Sequence, residues 1–300
     1  MDLESLRIFC TVAAELNVTH AAARLGRAPS NVSTRVQGLE ADLGVELFVR
    51  TGKRLHLSSA GERFIGYAQR LLALEDEARQ MVGGGAAGGV LRVGAMESTA
   101  ASRRPAPLAA YCAQHPATRL EVSTGTSAAL LDSVRVGRLD CAFAAVPASF
   151  DAAALQEIGL STQRLWKEKL VLLAPASETA RAPAQLQTRA LAAFRSGCTY
   201  RAIAEDLLGM AGDARWTVQE VGSYHAMAAT VAAGACVCLV PDSVLALAGV
   251  PAGLRRLPAG QATTSLVWRT GYDAPAFAKL RDCLAQEHKP EYGAELEQRP

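Results

Sequence analysis

The sequence predicts an α/β protein that consists of a small helical domain ending in a β-hairpin, a long linker helix, and a larger domain of two lobes. Three patterns lead to this prediction. Apolar residues near the N-terminus recur at helical spacing, a glycine-rich run covers residues 83–89, and strand and helix patterns alternate after that run. We therefore place the domain boundaries at residues 1–58, 59–89 and 90–300.

The composition excludes several classes of protein. The chain has 300 residues, of which 50% are hydrophobic, and a formal net charge of +2, which is typical of a globular protein of about two domains. No apolar run approaches the roughly 20 residues of a membrane helix, and Asp2 and Glu4 stand where a signal peptide carries cations. The seven cysteines are odd in number and lack zinc-site spacing, so we expect a cytoplasmic protein without a metal or cofactor.

Residues 19–43 have the pattern of two short helices joined by a tight turn. Thr19 suits the N-cap of the first helix, and Pro29 suits the first position of the second. Four apolar residues of the second helix are spaced to bury one face: Val32, Val36, Leu39 and Leu43. The exposed side then carries short polar groups and one guanidinium, as a helix in a DNA major groove requires. The predicted DNA-binding residues of this helix are Pro29, Ser30, Asn31, Ser33, Thr34 and Arg35.

The flanking segments complete a winged helix-turn-helix. Four apolar residues predict a first helix that closes the core: Leu3, Leu6, Phe9 and Val12. Two β-prone runs flank the turn Thr51-Gly52-Lys53, and the tip of this hairpin carries Arg50, Lys53 and Arg54. Residues 20–57 contain six basic and three acidic residues, so we expect these three side chains to bind the DNA backbone or minor groove.

Residues 59–82 predict one long helix that ends at the glycine-rich run, which serves as a hinge. Ser59 and Glu62 have the spacing of a capping box. Apolar residues alternate steps of three and four along this helix: Phe64, Tyr67, Leu71, Leu74, Ala78 and Met81. Such a seam is suited to pairing with a second copy of the chain. The alternative is that the seam packs against the body of the same chain.

Two series of alternating strand and helix patterns follow. The first has strands at 90–94, 120–124 and 141–146, with helices at 99–113 and 128–136. The second has strands at 170–173, 191–194, 216–221 and 236–240, with helices at 203–208 and 224–233. Residues 265–268 return to the first series, and 277–284 form a closing helix. This alternation predicts parallel sheets with helices on both faces. Lobe I comprises 90–162 and 268–300, lobe II comprises 165–265, and the crossovers lie near 162–165 and 265–268.

The order of residues in the N-terminal domain resembles that of LysR-type transcriptional regulators. The matching positions are Ala21-Ala22, Leu25, Val32-Ser33, Leu39-Glu40, Leu43-Gly44, Leu47-Phe48, Arg50, Leu57-Ser58, Ala60-Gly61 and Phe64. The resemblance extends over essentially the whole chain and implies linker helices that dimerise and a periplasmic-binding-protein-like effector domain. Pro29 stands where the family commonly has Gln, so the family's preferred base sequence does not carry over.

Hydroxyl groups follow several predicted strands, and ligands of open parallel sheets bind at the carboxyl ends of the strands. The predicted effector-binding residues are Ser98, Thr99, Thr124, Thr126, Ser127, Tyr200, Arg201 and Ser223. Together with helix N-termini they suit a small anionic or polar ligand between the lobes. The alternative for the hydroxyls is simple N-capping, and Arg201 either holds a ligand carboxylate or pairs with Glu205.

We therefore expect a LysR-type regulator that binds double-stranded DNA and a small effector. It forms a homodimer through residues 59–82 and a homotetramer. An enzyme is not expected, because the five histidines lack metal spacing and the sequence contains no nucleophile or phosphate-loop motif. Two alternatives stay open. One is an oxidant sensor in which Arg201 lowers the pKa of Cys198, and the other is a stand-alone solute-binding protein.

Overall fold

The computed structural model describes residues 1–52, 54–82, 89–103, 105–146, 152–247, 249 and 253–287. The chain divides into two compact units, one holding Met1–Gly84 and the other almost all of the rest. Lys53 and residues 83–88 of the predicted hinge lie outside the described residues. None of the helices in the described ranges combines the length and apolarity that a membrane crossing requires.

The first unit is a winged helix-turn-helix followed by a long helix, as predicted. Its elements are α1 (Leu3–Glu15), α2 (Val18–Leu25), α3 (Pro29–Leu43), β1 (Phe48–Thr51), β2 (Arg54–Leu57) and α4 (Ser59–Val82). The predicted spacing places Leu6, Phe9 and Leu39 in the core, where each is at most 1% exposed. The rings of Phe9 and Phe64 lie 5.4 Å apart, so the start of α4 packs on α1. The core of this unit therefore includes the first turns of the linker helix.

Two helix caps lie one or two residues before their predicted positions. Asn17, and not Thr19, caps α2, since its Oδ1 accepts hydrogen bonds from the backbone N–H groups of Thr19 and His20 at 2.9 and 3.1 Å. Ser58, and not Ser59, caps α4, because its Oγ accepts the N–H of Gly61 at 3.0 Å. In both cases the residue just before the helix makes the bond that the sequence pattern assigned to a later hydroxyl.

The other unit contains the remaining elements. They are β3 (Val90–Ala95), α5 (Glu97–Ser102), α6 (Pro105–Gln114), β4 (Arg119–Thr124), α7 (Ser127–Arg135), β5 (Cys141–Ala145), α8 (Ala152–Glu157), β6 (Leu160–Ala174), β7 (Ala190–Ala193), α9 (Thr199–Leu207), β8 (Thr217–Glu220), α10 (Tyr224–Ala232), β9 (Cys238–Pro241), α11 (Asp242–Leu245), β10 (Arg255–Arg269) and α12 (Pro275–Glu287). The single helix predicted at 99–113 is two helices, and the second begins at Pro105, a residue that suits the first position of a helix but not its interior.

The sheets confirm the α/β class but are not wholly parallel. Six strands lie in the order β4-β3-β5-β10-β6-β9, and β7 pairs with β8. Strand β3 runs parallel to β4 and β5, and β7 runs parallel to β8, as predicted. A parallel bridge between Leu191 and Val237 connects β7 to β9. Lobe I therefore contains β3, β4 and β5, and lobe II contains β7, β8 and β9.

The two crossovers lie at the predicted positions but are longer than predicted. They are not short segments near 162–165 and 265–268 but two strands, β6 and β10, that pair antiparallel from Leu160 with Arg269 to Ala174 with Arg255. The reason is directional, since the chain leaves lobe I along β6 and returns along β10, and two neighbouring strands of opposite direction complete each other's hydrogen bonds. This shared ladder runs through both lobes and positions the strand ends that face each other between them.

Candidate functional site

The exposed face of α3 has the composition expected from the sequence. Ser30, Asn31, Thr34 and Arg35 are exposed, as is Pro29 at the first helical position, whereas Ser33 is half-buried. Val32 and Leu39 on the opposite face are at most 1% exposed. Gln37, which was not among the predicted residues, is also exposed and lies one turn beyond Ser33 and Thr34, so it extends the same face.

The basic residues of this unit are not equally available. Three arginines form ion pairs with acids of the N-terminal segment: Arg24 with Glu15 at 2.8 Å, Arg27 with Glu4 at 2.6 Å, and Arg35 with Asp2 at 3.5 Å. On the hairpin, Arg50 and Arg54 are exposed, and neither forms an ion pair with any described residue. The positive charge predicted for the DNA-facing surface is therefore concentrated at the hairpin.

Helix α4 carries an exposed apolar stripe. Tyr67, Leu74 and Met81 are 63, 61 and 54% exposed, and Leu71 and Ala78 between them are exposed as well. Phe64, the first residue of the predicted seam, departs from this pattern because it packs on the core of its own unit. The alternative of packing within the chain thus applies to the start of the helix, while Tyr67, Leu74 and Met81 further along remain more than half exposed.

A cavity of about 540 Å³ lies between lobes I and II. Four predicted effector residues line it: Thr124, Thr126, Ser127 and Tyr200. Thr124 ends β4, Ser127 begins α7, and Tyr200 lies in the first turn of α9. The cavity therefore lies at the carboxyl ends of strands, where the sequence pattern placed it.

Direct contacts between the two lobes border this cavity. The backbone N–H of Ala128 in lobe I donates to the carbonyl oxygen of Gly197 in lobe II at 3.0 Å. The Thr199 hydroxyl donates to the Ala145 carbonyl at 2.7 Å. The two lobes therefore meet through specific hydrogen bonds beside the cavity.

The other four predicted residues lie outside the cavity lining. Ser98 and Thr99 are each 3% exposed in α5. Ser223 is the N-cap of α10, and its Oγ accepts the Ala226 N–H at 3.2 Å, which is the capping role held open as the alternative. The guanidinium of Arg201 is engaged elsewhere: Nε donates to Glu205 at 2.7 Å and NH1 donates to Glu220 at 2.7 Å. Arg201 thus has the ion-pair role that was its alternative, and the prediction that it binds the effector carboxylate is wrong for this arrangement of its side chain.

Several lining residues were not predicted. Glu97 and Arg195 bring opposite charges to the cavity, and Met96, Phe194 and Tyr224 bring apolar surface. Glu97 and Arg195 each follow the last residue of a strand by two positions, β3 and β7 respectively. The pattern of polar residues just after predicted strands, which identified the hydroxyls, would also have identified Glu97 and Arg195 if charged residues had been included.

Burial perturbs the polar groups around the cavity. Desolvation raises the pKa of Glu97, while the backbone N–H of Tyr224 and the nearby His225 oppose the shift. Desolvation also raises the pKa of Tyr200 to about 12, although the hydroxyls of Ser98 and Thr264 act in the opposite direction. Glu97 Oε2, the Ser98 hydroxyl and the Tyr200 hydroxyl are buried without a well-formed hydrogen bond to any described residue. Such groups are costly unless a partner reaches them.

Cys198, the residue of the oxidant-sensor alternative, also lines the cavity. Desolvation raises the pKa of the Cys198 thiol, and this effect exceeds the opposing influence of Arg201 and of the backbone N–H groups at the start of α9. A raised pKa disfavours the thiolate that reacts with oxidants. No cluster of three or more metal-ligating side chains occurs within the described ranges.

Comparison with known proteins connects both units to one family. Residues 3–62 match the family described as bacterial regulatory helix-turn-helix protein, lysR family, and residues 84–289 match the LysR substrate binding domain. An uncharacterised HTH-type transcriptional regulator of Bacillus subtilis, YusT, is 32% identical over 89% of this chain and 88% of its own length. The HTH-type transcriptional regulator GltR of the same species is 32% identical over 82% of this chain and 81% of its own.

Solved structures show the same fold along nearly the whole chain. A full-length OxyR variant from Pseudomonas aeruginosa has a TM-score of 0.67 at 24% identity, covering 95% of this chain and 94% of its own. CbnR, a LysR family transcriptional regulator, has a TM-score of 0.66 at 23% identity, covering 97% of this chain and 100% of its own. Full-length CbnR has also been solved in complex with its target DNA, with a TM-score of 0.63 at 22% identity, covering 95% of this chain and 99% of its own.

Proposed function

Because the chain belongs to the LysR family of bacterial transcriptional regulators, we propose that α3 and the hairpin bind operator DNA and that a small effector bound in the cavity controls this binding. The observation that carries the proposal is the cavity itself, in which hydroxyls, a guanidinium and buried unpartnered polar atoms meet between two lobes. The protein acts by binding and not by catalysis, and it works in the cytoplasm because its DNA target is there.

The DNA-binding part of the proposal divides between two surfaces. The exposed side chains in the first turns of α3 are short, so the helix backbone can approach base edges in the major groove, and we infer that Asn31 and Thr34 read them. The exposed side chains of Arg50 and Arg54 on the hairpin support a role in binding phosphates, and Lys53 belongs to the same turn of the sequence. The case for Arg35 as a DNA-binding residue is weaker, because the Asp2 carboxylate lies 3.5 Å from its guanidinium and partly neutralises its charge.

The stripe on α4 supports a homodimer. Residues 67, 71, 74, 78 and 81 recur at the three-and-four spacing of a helix pair, and they are exposed in the single chain. A two-fold pair presents two α3 helices to a palindromic site, which one copy cannot do. We propose a homotetramer assembled from such dimers as the complete form.

The effector part rests on groups that lack partners within the protein. Tyr200 is 3% exposed and lines the cavity, and its hydroxyl has no well-formed hydrogen bond to any described residue. Thr124, Thr126 and the N-terminus of α7 add donors on the side of lobe I. A ligand that binds both lobes stabilises the arrangement in which they meet, and it alters DNA binding to the extent that it prefers this arrangement.

Two measurements on the full chain test this function. In the first, duplexes are selected from a random-sequence library, and Thr34→Ala should change the ratio of specific to non-specific affinity by roughly 10-fold or more, the size of one lost base contact. In the second, thermal unfolding is followed against a metabolite panel, and a bound effector should raise Tm by mass action. Thr126→Ala should reduce that response while leaving DNA binding intact.

Thr179→Ala is the matched control, since Thr179 is exposed and lies outside both proposed surfaces. If no duplex is enriched by the wild-type chain, the DNA-binding proposal is wrong. If no metabolite shifts Tm, or if the shift survives unchanged in both Thr126→Ala and Tyr200→Phe, the cavity is not the effector site.

A further inference from the structure

We propose that the effector carries both an ammonium group and a carboxylate, as a free amino acid does, with the ammonium at Glu97 and the carboxylate at Arg195. This inference rests on the proposed function, because it specifies the ligand of the same cavity. It depends on how the charged groups of the cavity are paired.

Four charged side chains lie in or beside the cavity, and two of them satisfy each other. Glu220 lines the cavity, and its Oε1 accepts from Arg201 at 2.7 Å, while Arg201 also pairs with Glu205. This pair is complete without a ligand. Glu97 and Arg195 remain, and neither forms an ion pair with any described residue, including the other.

Glu97 is the acid with one carboxylate oxygen, Oε2, that lacks a donor. It is the first residue of α5, it is half-buried, and its Oε2 is buried without a hydrogen bond from any described residue. Burial raises the pKa of this carboxyl, and the Tyr224 backbone N–H and the nearby His225 offset this shift only in part. An ammonium group supplies a donor for this oxygen and a full positive charge beside the carboxylate.

Arg195 provides the complementary group. It lies just beyond the end of β7, and it lines the cavity together with Thr124 and Thr126 across the cleft. A guanidinium and two hydroxyls suit a carboxylate. Glu97 and Arg195 are more than an ion-pair distance apart, so a ligand with one charge of each sign can lie between them.

The remaining wall selects the rest of the ligand. Met96, Phe194 and Val221 line the cavity with apolar surface. A cavity of about 540 Å³ exceeds what the charged groups of an amino acid fill, so an uncharged apolar or aromatic side chain completes the contact.

The test uses thermal unfolding and calorimetric titration of the full chain with the common L-amino acids. For each amino acid that binds, the N-acetyl derivative, the amide and the corresponding 2-hydroxy acid are the matched probes. We expect at least one apolar amino acid to bind and all three derivatives to bind at least about 10-fold more weakly, as the loss of a charged hydrogen bond implies.

Two variants assign the contacts. Glu97→Gln should lose about 10-fold or more in affinity for the amino acid and should no longer prefer it to the 2-hydroxy acid. Arg195→Gln should lose preference for the amino acid over its amide. Glu157→Gln and Arg256→Gln, both at exposed positions outside the lining, are the charge-matched controls and should bind as the wild type does.

The outcomes separate this inference from the proposed function. If carboxylates without an amine bind equally well and Thr126→Ala abolishes their binding, the cavity is an effector site and the amino-acid assignment is wrong. Unchanged amino-acid affinity in folded Glu97→Gln also overturns the assignment. If neither the amino acids nor the wider metabolite panel bind, both proposals fail.

Discussion

Replacement of Arg103 should weaken the connection between lobes I and II. Glu168, on β6, is 4% exposed, and its carboxylate accepts from Arg103 Nε at 2.8 Å and from the Ser243 hydroxyl at 2.9 Å. Arg103 follows α5 of lobe I, and Ser243 lies in α11 of lobe II. We call these three residues the Glu168 contact. Arg103→Gln removes the charge that this buried carboxylate faces.

The structure sets the size of the effect. A hydrogen bond between charged groups contributes about 1.5–3 kcal/mol when it is shielded from water. The Arg103 side chain is 42% exposed, so solvent screens part of this energy, and we expect a loss of about 1–2 kcal/mol. For a domain of about 200 residues this lowers Tm by roughly 2–8 °C. Arg119→Gln is the control. Arg119 forms a 2.9 Å ion pair with Glu121, but the two side chains are 75 and 42% exposed, so solvent screens this pair.

The assay is thermal unfolding of both variants, followed by a double-mutant cycle of Arg103→Gln with Glu168→Gln. The cycle should return a coupling energy of about 1 kcal/mol, whereas Arg119→Gln should change Tm by less than about 2 °C. Because α5 also carries Glu97 at its first residue, Arg103→Gln should weaken effector binding as well. If Arg103→Gln and the control Arg119→Gln unfold at the same temperature, the Glu168 contact does not hold the lobes together.

Three further predictions concern the N-terminal unit. Arg50→Gln should weaken binding to all duplexes and reduce the slope of log affinity against log salt by about 1, and an unchanged slope would remove Arg50 from the phosphate contacts. Leu74→Glu places a charge in the exposed stripe of α4 and should convert the dimer to monomer in light scattering, and a persistent dimer would refute the stripe as the interface. Gly61→Ala should destabilise by about 1–3 kcal/mol in denaturant unfolding, because a Cβ there would lie 2.1 Å from the Leu47 carbonyl oxygen. Gly66→Ala, with no atom within 4 Å of its Cβ, should be neutral or stabilising, and equal losses in the two variants would contradict the packing argument.

The helices of the first unit could be predicted because their causes are local. The spacing of Val32 and Val36 defines a buried face whatever the rest of the chain does, and Pro29 can begin a helix but not continue one. The predicted positions of the helix caps were less accurate. Asn17 and Thr19 both offer a suitable oxygen, and backbone geometry decides between them. The long ladder of β6 with β10 could not be predicted, because it pairs residues about 100 positions apart and no local period records the partner.

The candidate site shows the same division between local and distant causes. Hydroxyls at strand ends are visible in the sequence, and Thr126 and Tyr200 do line the cavity. Which charged groups stay available there depends on pairing in three dimensions. Arg201 was the expected ligand cation, but Glu205 from one helical turn away and Glu220 from a neighbouring strand together satisfy it. Arg195 is the cation that this pairing leaves to a ligand. The charge that the cavity offers to a ligand therefore depends on which ion pairs the fold completes. Glu97 and Arg195 form no ion pair with a described residue, and the proposed preference for a ligand with one charge of each sign follows from these two residues.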